Sequence, residues 1–126
     1  MNIDEKIQEQ YKTATSYPDL VLKLIAIGVQ SYTVDVATRI ILYRFSDGEN
    51  VIHNNSNEPV LVETAFDKEL TVKAIRDNQQ KKTDYPGFMK DIANAGVRFY
   101  EATLIGKNKR VTYIGIGDRY EETIPL

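Results

Sequence analysis

Cysteine is absent from the 126 residues, and so is tryptophan. Without thiols there is no disulfide, no thiolate nucleophile and no cysteine-bearing zinc site. The compartment stays open on that count, because a cysteine-free chain is stable in either redox setting. Histidine occurs once, at His53, so imidazoles cannot cluster around a metal. No apolar run approaches the ~18 residues that a membrane span requires. The start, Met1-Asn2-Ile3-Asp4-Glu5-Lys6, has neither the basic nor the apolar region of a secretory signal. A cytoplasmic protein without membrane contact is therefore expected. No glycine-rich phosphate loop, dinucleotide fingerprint, nucleophile elbow or zinc-binding His pair occurs, so no cofactor and no metal are expected. The formal net charge is -2 at pH 7, which favours neither nucleic acid nor an anionic membrane as a partner.

What is present is repetition. Slid by 68 positions, Thr15, Tyr17, Pro18, Gly28, Val29 and Tyr32 fall on Thr83, Tyr85, Pro86, Gly96, Val97 and Tyr100. Chance gives about one such identity in a window of this length. Upstream, Ile7 falls on Ile75. With two extra residues in the later hairpin, Ile41 and Tyr43 fall on Val111 and Tyr113. The length is that of a single domain. We read one domain over 1–126 made of two repeats, about 1–63 and 64–126.

Each repeat begins with two helices. Ile3, Ile7, Tyr11 and Ala14 form a narrow apolar stripe at helical spacing. Ser16 is placed to cap a second helix, Tyr17 to about Ile27, with Pro18 in its first turn and Asp19 where a carboxylate suits the dipole. In the later copy, residues 67–79 read as the first helix, and Asp84 takes the capping place before a helix running to Ala95. Gly28 and Gly96 should end the second helices with positive φ, so Gly96→Ala should cost on the order of 1 kcal/mol. Hairpins follow, Ser31–Val36 with Arg39–Phe45 and Val97–Leu104 with Arg110–Ile116. A short third strand begins near Val51-Ile52 in one copy and spans Arg119–Thr123 in the other. Val60-Leu61-Val62 reads as a further short strand. A hairpin with two helices cannot bury its apolar face alone, but two such units can share a core. The expected fold is α+β: an antiparallel sheet covered by helices, with a pseudo-twofold axis.

The chain resembles the YbcV-like family of unknown function, whose members often carry the label "phage envelope protein". The resemblance covers nearly the whole chain. It rests on Gly28-Val29 through Tyr32-Thr33-Val34-Asp35, on Gln79-Gln80 before Thr83-Asp84-Tyr85-Pro86, and on Ala95-Gly96-Val97. Members often show a His before the two Gln, a Gly after them and a Cys in the following helix. Here those places hold Asn78, Lys81 and Met89, so chemistry resting on that His or Cys does not carry over.

Tyrosine is the one unusual usage, with eight residues, six of them in repeat-related pairs: 17/85, 32/100 and 43/113. Paired tyrosines across a pseudo-twofold can line a cleft and stack a flat ligand, and they can equally brace helix starts and pack a sheet. Tyr32, Tyr100, Tyr85, Asp35 and Asp84 are the candidate ligand contacts. Asp35 and Asp84 are also well placed as a turn residue and an N-cap. No catalytic set emerges. His53 lies before a run of loop amides and reads as an exposed loop histidine. Asn54-Asn55-Ser56 matches a glycosylation sequon that is idle without secretion. Lys107, Lys109 and Arg110, with Lys81 and Lys82, read as solvated hairpin tips rather than a phosphate-binding patch.

One asymmetry separates the copies. The helix from Tyr17 carries Leu20, Val21, Leu22, Leu24, Ile25 and Ile27, leaving it no polar side, whereas its twin keeps Lys90, Asp91 and Asn94. Something must cover Leu22, either the N-terminal helix through Ile3, Ile7 and Tyr11 or a second copy of the chain. The preferred expectation is a non-enzymatic binding or assembly module that forms a homodimer. The alternative is a small-molecule-binding protein or enzyme using a cleft between the repeats.

Overall fold

The computed structural model describes residues 2–54 and 58–126, so Asn55 and Ser56 of the sequon lie outside the described residues. The first repeat holds α1 (Ile3–Thr13), α2 (Tyr17–Ala26), β1 (Val29–Asp35), β2 (Ile41–Phe45) and β3 (Asn50–His53). The second holds α3 (Lys68–Gln79), α4 (Tyr85–Asn94), β4 (Phe99–Thr103), β5 (Arg110–Ile114) and β6 (Arg119–Thr123). The strands form one open antiparallel sheet in the order β3-β2-β1-β4-β5-β6. The fold is α+β, two helix-helix-strand repeats sharing a sheet.

The symmetry axis can be located from the register of the two central strands. Thr33 pairs with Glu101, its own repeat equivalent. Tyr32 pairs with Ala102, the equivalent of Val34, and Val34 pairs with Tyr100, the equivalent of Tyr32. Flanking bonds repeat the exchange: Val36 N donates to Arg98 O at 3.0 Å, and Leu104 N donates to Gln30 O at 2.8 Å. The axis therefore passes through the Thr33–Glu101 pair.

Strand alternation gives the sheet two unlike faces. Tyr32, Val34, Tyr43, Tyr100, Ala102, Val111 and Tyr113 are buried on the helix side. On the other face Arg44 reaches Thr33 Oγ1 at 2.8 Å and Glu101 at 3.8 Å, and Arg110 lies 3.3 Å from Glu121. This open face is held by polar cross-strand pairs that remain hydrated.

The helix starts follow their sequence signals. Ser16 accepts from Asp19 N, and Asp84 from Gly87 N, with a proline in the first turn of both helices. Gly28 and Gly96 have φ of 100° and 83°. Lys81, just past α3, has φ of 61°. A lysine there holds a left-handed conformation at a cost, so Lys81→Gly should raise stability by about 0.5–1 kcal/mol, read as a higher urea midpoint at unchanged slope.

Two elements differ from the sequence expectation. Val60-Leu61-Val62 is not a strand. Val60 N bonds to Ala37 O and Glu63 N to Ala93 O, so the segment bridges a hairpin tip and a helix end instead of following one edge. His53 is not a loop residue but the half-buried last residue of β3, opposite Ile41. Its Nδ1 lies 3.4 Å from Gln8 Nε2 and 3.5 Å from Asp4 Oδ1, because α1 packs over this edge. That packing buries Ile7 and links Tyr11 to Tyr43. It does not reach Leu22, which stays 55% exposed.

Candidate functional site

The helix-side tyrosines form two mirrored hydroxyl pairs. Tyr17 and Tyr85 stand first in α2 and α4, so their rings lean back over the sheet. Tyr17 Oη lies 2.6 Å from Tyr32 Oη, and the Tyr85 and Tyr100 hydroxyls influence each other from the equivalent positions. On the sheet, Tyr32 stands opposite Tyr43 with ring centroids 5.7 Å apart, and Tyr100 opposite Tyr113 at 5.4 Å. Each copy adds an outer partner. Tyr11 Oη meets Tyr43 Oη at 2.8 Å, and Tyr113 stacks on Tyr120 with centroids 6.4 Å apart. The outer partners are not repeat equivalents, since Tyr11 comes from a helix and Tyr120 from an edge strand.

Burial controls the chemistry of these phenols. It raises the Tyr32, Tyr43, Tyr100 and Tyr113 hydroxyls well above their usual range. Tyr11 is pushed up to about 12, with the bond to Tyr43 offsetting part of the effect. Tyr17 and Tyr85 are 38% and 46% exposed as residues, yet burial around the hydroxyl still raises both. At Tyr85 the neighbouring Tyr100 hydroxyl and the Arg39 charge pull the other way. All of these groups stay neutral at pH 7. They can donate and accept hydrogen bonds, and they supply neither a base nor an anion.

The structure brings Tyr32, Tyr100 and Tyr85 together and keeps the two carboxylates apart from them. Asp35 points to the opposite face of the sheet from Tyr32, as alternation along β1 requires. Its Oδ2 accepts from Thr38 N at 3.0 Å and from Thr38 Oγ1 at 2.6 Å, closing the β1–β2 turn. Asp84 caps α4.

Between that turn and α4 lies a groove of about 370 Å³, walled by Val36, Arg39, Val60, Leu61, Met89 and Lys90 among others. The first repeat, the linker and the second repeat each contribute to it. Sequence reasoning missed it. Lys90 did carry a signal, since it stands where the twin helix has Leu22. Arg39 carried none.

A family model described as "Protein of unknown function (DUF1398)" matches residues 5–119. The chain belongs to the DUF1398 family. No curated protein matches it. The match spans most of both repeats, so both hydroxyl pairs and the groove fall inside the DUF1398 region. Among the described residues of this DUF1398 protein no group of three or more His, Cys, Asp or Glu is placed to hold a metal. None of its described helices is long and apolar enough to cross a membrane.

Proposed function

We propose that this DUF1398 chain is one domain of two repeats, a non-enzymatic binding or assembly module of the cytoplasm that pairs with a second copy of itself through α2. The observation that carries the reading is Leu22. It is 55% exposed on a helix whose twin has Lys90 in its place, and α1 packs elsewhere. Symmetry enlarges the patch. The axis that brings Val36 to the groove edged by Lys90 brings Leu104, with Ile105 beside it, towards Leu22. Ile105 is itself 51% exposed. A twofold contact presents this patch to its own copy and should bury about 1,200 Å² or more in total. Sedimentation of the wild type against Leu22→Lys tests it. The variant carries the residue that the twin helix already tolerates, so it should fold and run as a monomer. A dimer untouched by the substitution would remove α2 from the interface.

A second reading, a small-molecule-binding protein or enzyme acting between the repeats, is favoured by the Tyr17–Tyr32 and Tyr85–Tyr100 pairs that converge near the axis. Tyr32, Tyr100 and Tyr85 remain its proposed contacts, whereas Asp35 closes the β1–β2 turn and Asp84 caps α4. We also place the chain with the YbcV-like proteins, on the strength of Gln79-Gln80 and Thr83-Asp84-Tyr85-Pro86. The phage label of those proteins adds no chemistry to either reading.

A further inference from the structure

Arg39 combines two unfavourable features. Its φ is 62°, a left-handed conformation that a long side chain adopts at a cost. Its Nε is shielded from solvent and has no hydrogen-bond partner among the described residues. The turn does not need an arginine, because Asp35 and Thr38 close it. Strain of this kind, kept where it serves no local purpose, points to a function elsewhere. Arg39 lines the groove beside α4, and Lys90 lines the facing wall. Neither cation has a carboxylate partner among the described residues, and no acidic side chain borders the groove. The remaining walls are apolar: Val36, Val60, Leu61 and Met89.

We propose that this groove binds a small carboxylate with an apolar body, its head seated between Arg39 and Lys90 and its tail on the exposed Val60 and Leu61, over the buried Val36 and Met89. Charge selects the ligand class, since two unpaired cations over apolar walls fit an anion with a hydrocarbon part. A carboxylate laid along the guanidinium edge supplies the acceptor that Nε lacks, once the outer torsions of Arg39 turn that edge outward. The volume of about 370 Å³ lies in the range of small-molecule sites. The charge belongs to one repeat only, because the equivalent of Lys90 is Leu22. This site is separate from the α2 surface and does not depend on self-association.

The probe is decanoate below its micellar concentration, added to the full chain and followed by methyl NMR. Decanol, with the same tail and no charge, is the control. Decanoate should shift the Val36, Val60, Leu61 and Met89 methyls, and decanol should bind at least about tenfold more weakly. Arg39→Gly keeps the turn, because glycine takes a φ of 62° freely. Lys90→Leu installs the residue of the twin helix. Both variants should fold and lose decanoate affinity by about tenfold or more. Equal binding of decanol, unchanged affinity in both folded variants, or no shift at these methyls would overturn the proposal. So would shifts that follow protein concentration without decanoate, which would mean that a second copy covers the groove.

Discussion

Gly96→Ala is expected to destabilise the protein by roughly 3 kcal/mol or more, while the same change at the equivalent Gly28 costs only about 1. Both glycines carry positive φ, so both variants bear the left-handed penalty. Their surroundings differ. A Cβ on Gly28 would meet Ser46 Oγ at 3.4 Å and Phe45 Cδ1 at 3.7 Å, which is ordinary contact. A Cβ on Gly96 would lie 2.2 Å from Ala65 O and 2.9 Å from Phe66 Cα, both backbone atoms. The linker is pinned there, since Asp67 N bonds to Ala95 O at 2.8 Å. To admit the methyl, the linker must leave its place. A loss of this size is a large share of the 5–15 kcal/mol that holds a typical domain together. Urea denaturation of the two variants side by side checks it, and equal losses would refute the role given to the linker.

The second large effect is alkaline unfolding. Below about pH 10 the tyrosines hold their protons in both folded and unfolded chains, and stability is fully present. Above that, the unfolded chain releases phenol protons near the ordinary value. The folded hydroxyls retain theirs, to about 12 for Tyr11, and burial likewise holds those of Tyr32, Tyr43, Tyr100 and Tyr113 well above their usual range. The unfolded state then binds fewer protons, so stability falls as pH rises from about 10 towards the folded values. Each buried phenol contributes a slope of about 1.4 kcal/mol per pH unit, and the four strand tyrosines together roughly 5. Unfolding should therefore be complete within one to two units above about pH 10. Tyrosinate absorbance and the loss of circular dichroism should rise in one shared, steep transition. Gradual titration of most tyrosines in a still-folded chain would contradict the burial of these hydroxyls.

The sequence showed the repeat, the capped helix starts, the two glycines and the antiparallel hairpins, because each depends on local chemistry that recurs 68 residues later. It could not show where the copies diverge through distant contacts. Phe45 ends β2 in the first repeat, and its equivalent in the second is Gly115. A Cβ on Gly115 would lie 2.6 Å from the ring of Phe66. The linker thus supplies in the second copy the aromatic that the strand supplies in the first. Helix-end reasoning alone gives about 1 kcal/mol for Gly96→Ala, because it leaves out the linker backbone that lies against Gly96. At the candidate site the tyrosine pairs were visible as identities, but their hydroxyl partners were not. Tyr11 reaches Tyr43 only because α1 crosses the β2–β3 edge. Asp35 looked available until alternation placed it on the other face. Arg39 left no trace, since nothing in Ala37-Thr38-Arg39 forecasts a left-handed arginine under a helix.

The most direct test of self-association through α2 uses the absence of cysteine. A single thiol placed by Leu22→Cys keeps the site small and apolar and can be joined to a second copy by a short bis-maleimide. Lys90→Cys, on the twin helix, is the matched control. Expected is rapid formation of a covalent dimer for Leu22→Cys at micromolar protein, suppressed by dilution, and little for Lys90→Cys. Equal rates at the two positions, or no dimer at position 22, would contradict an interface on α2.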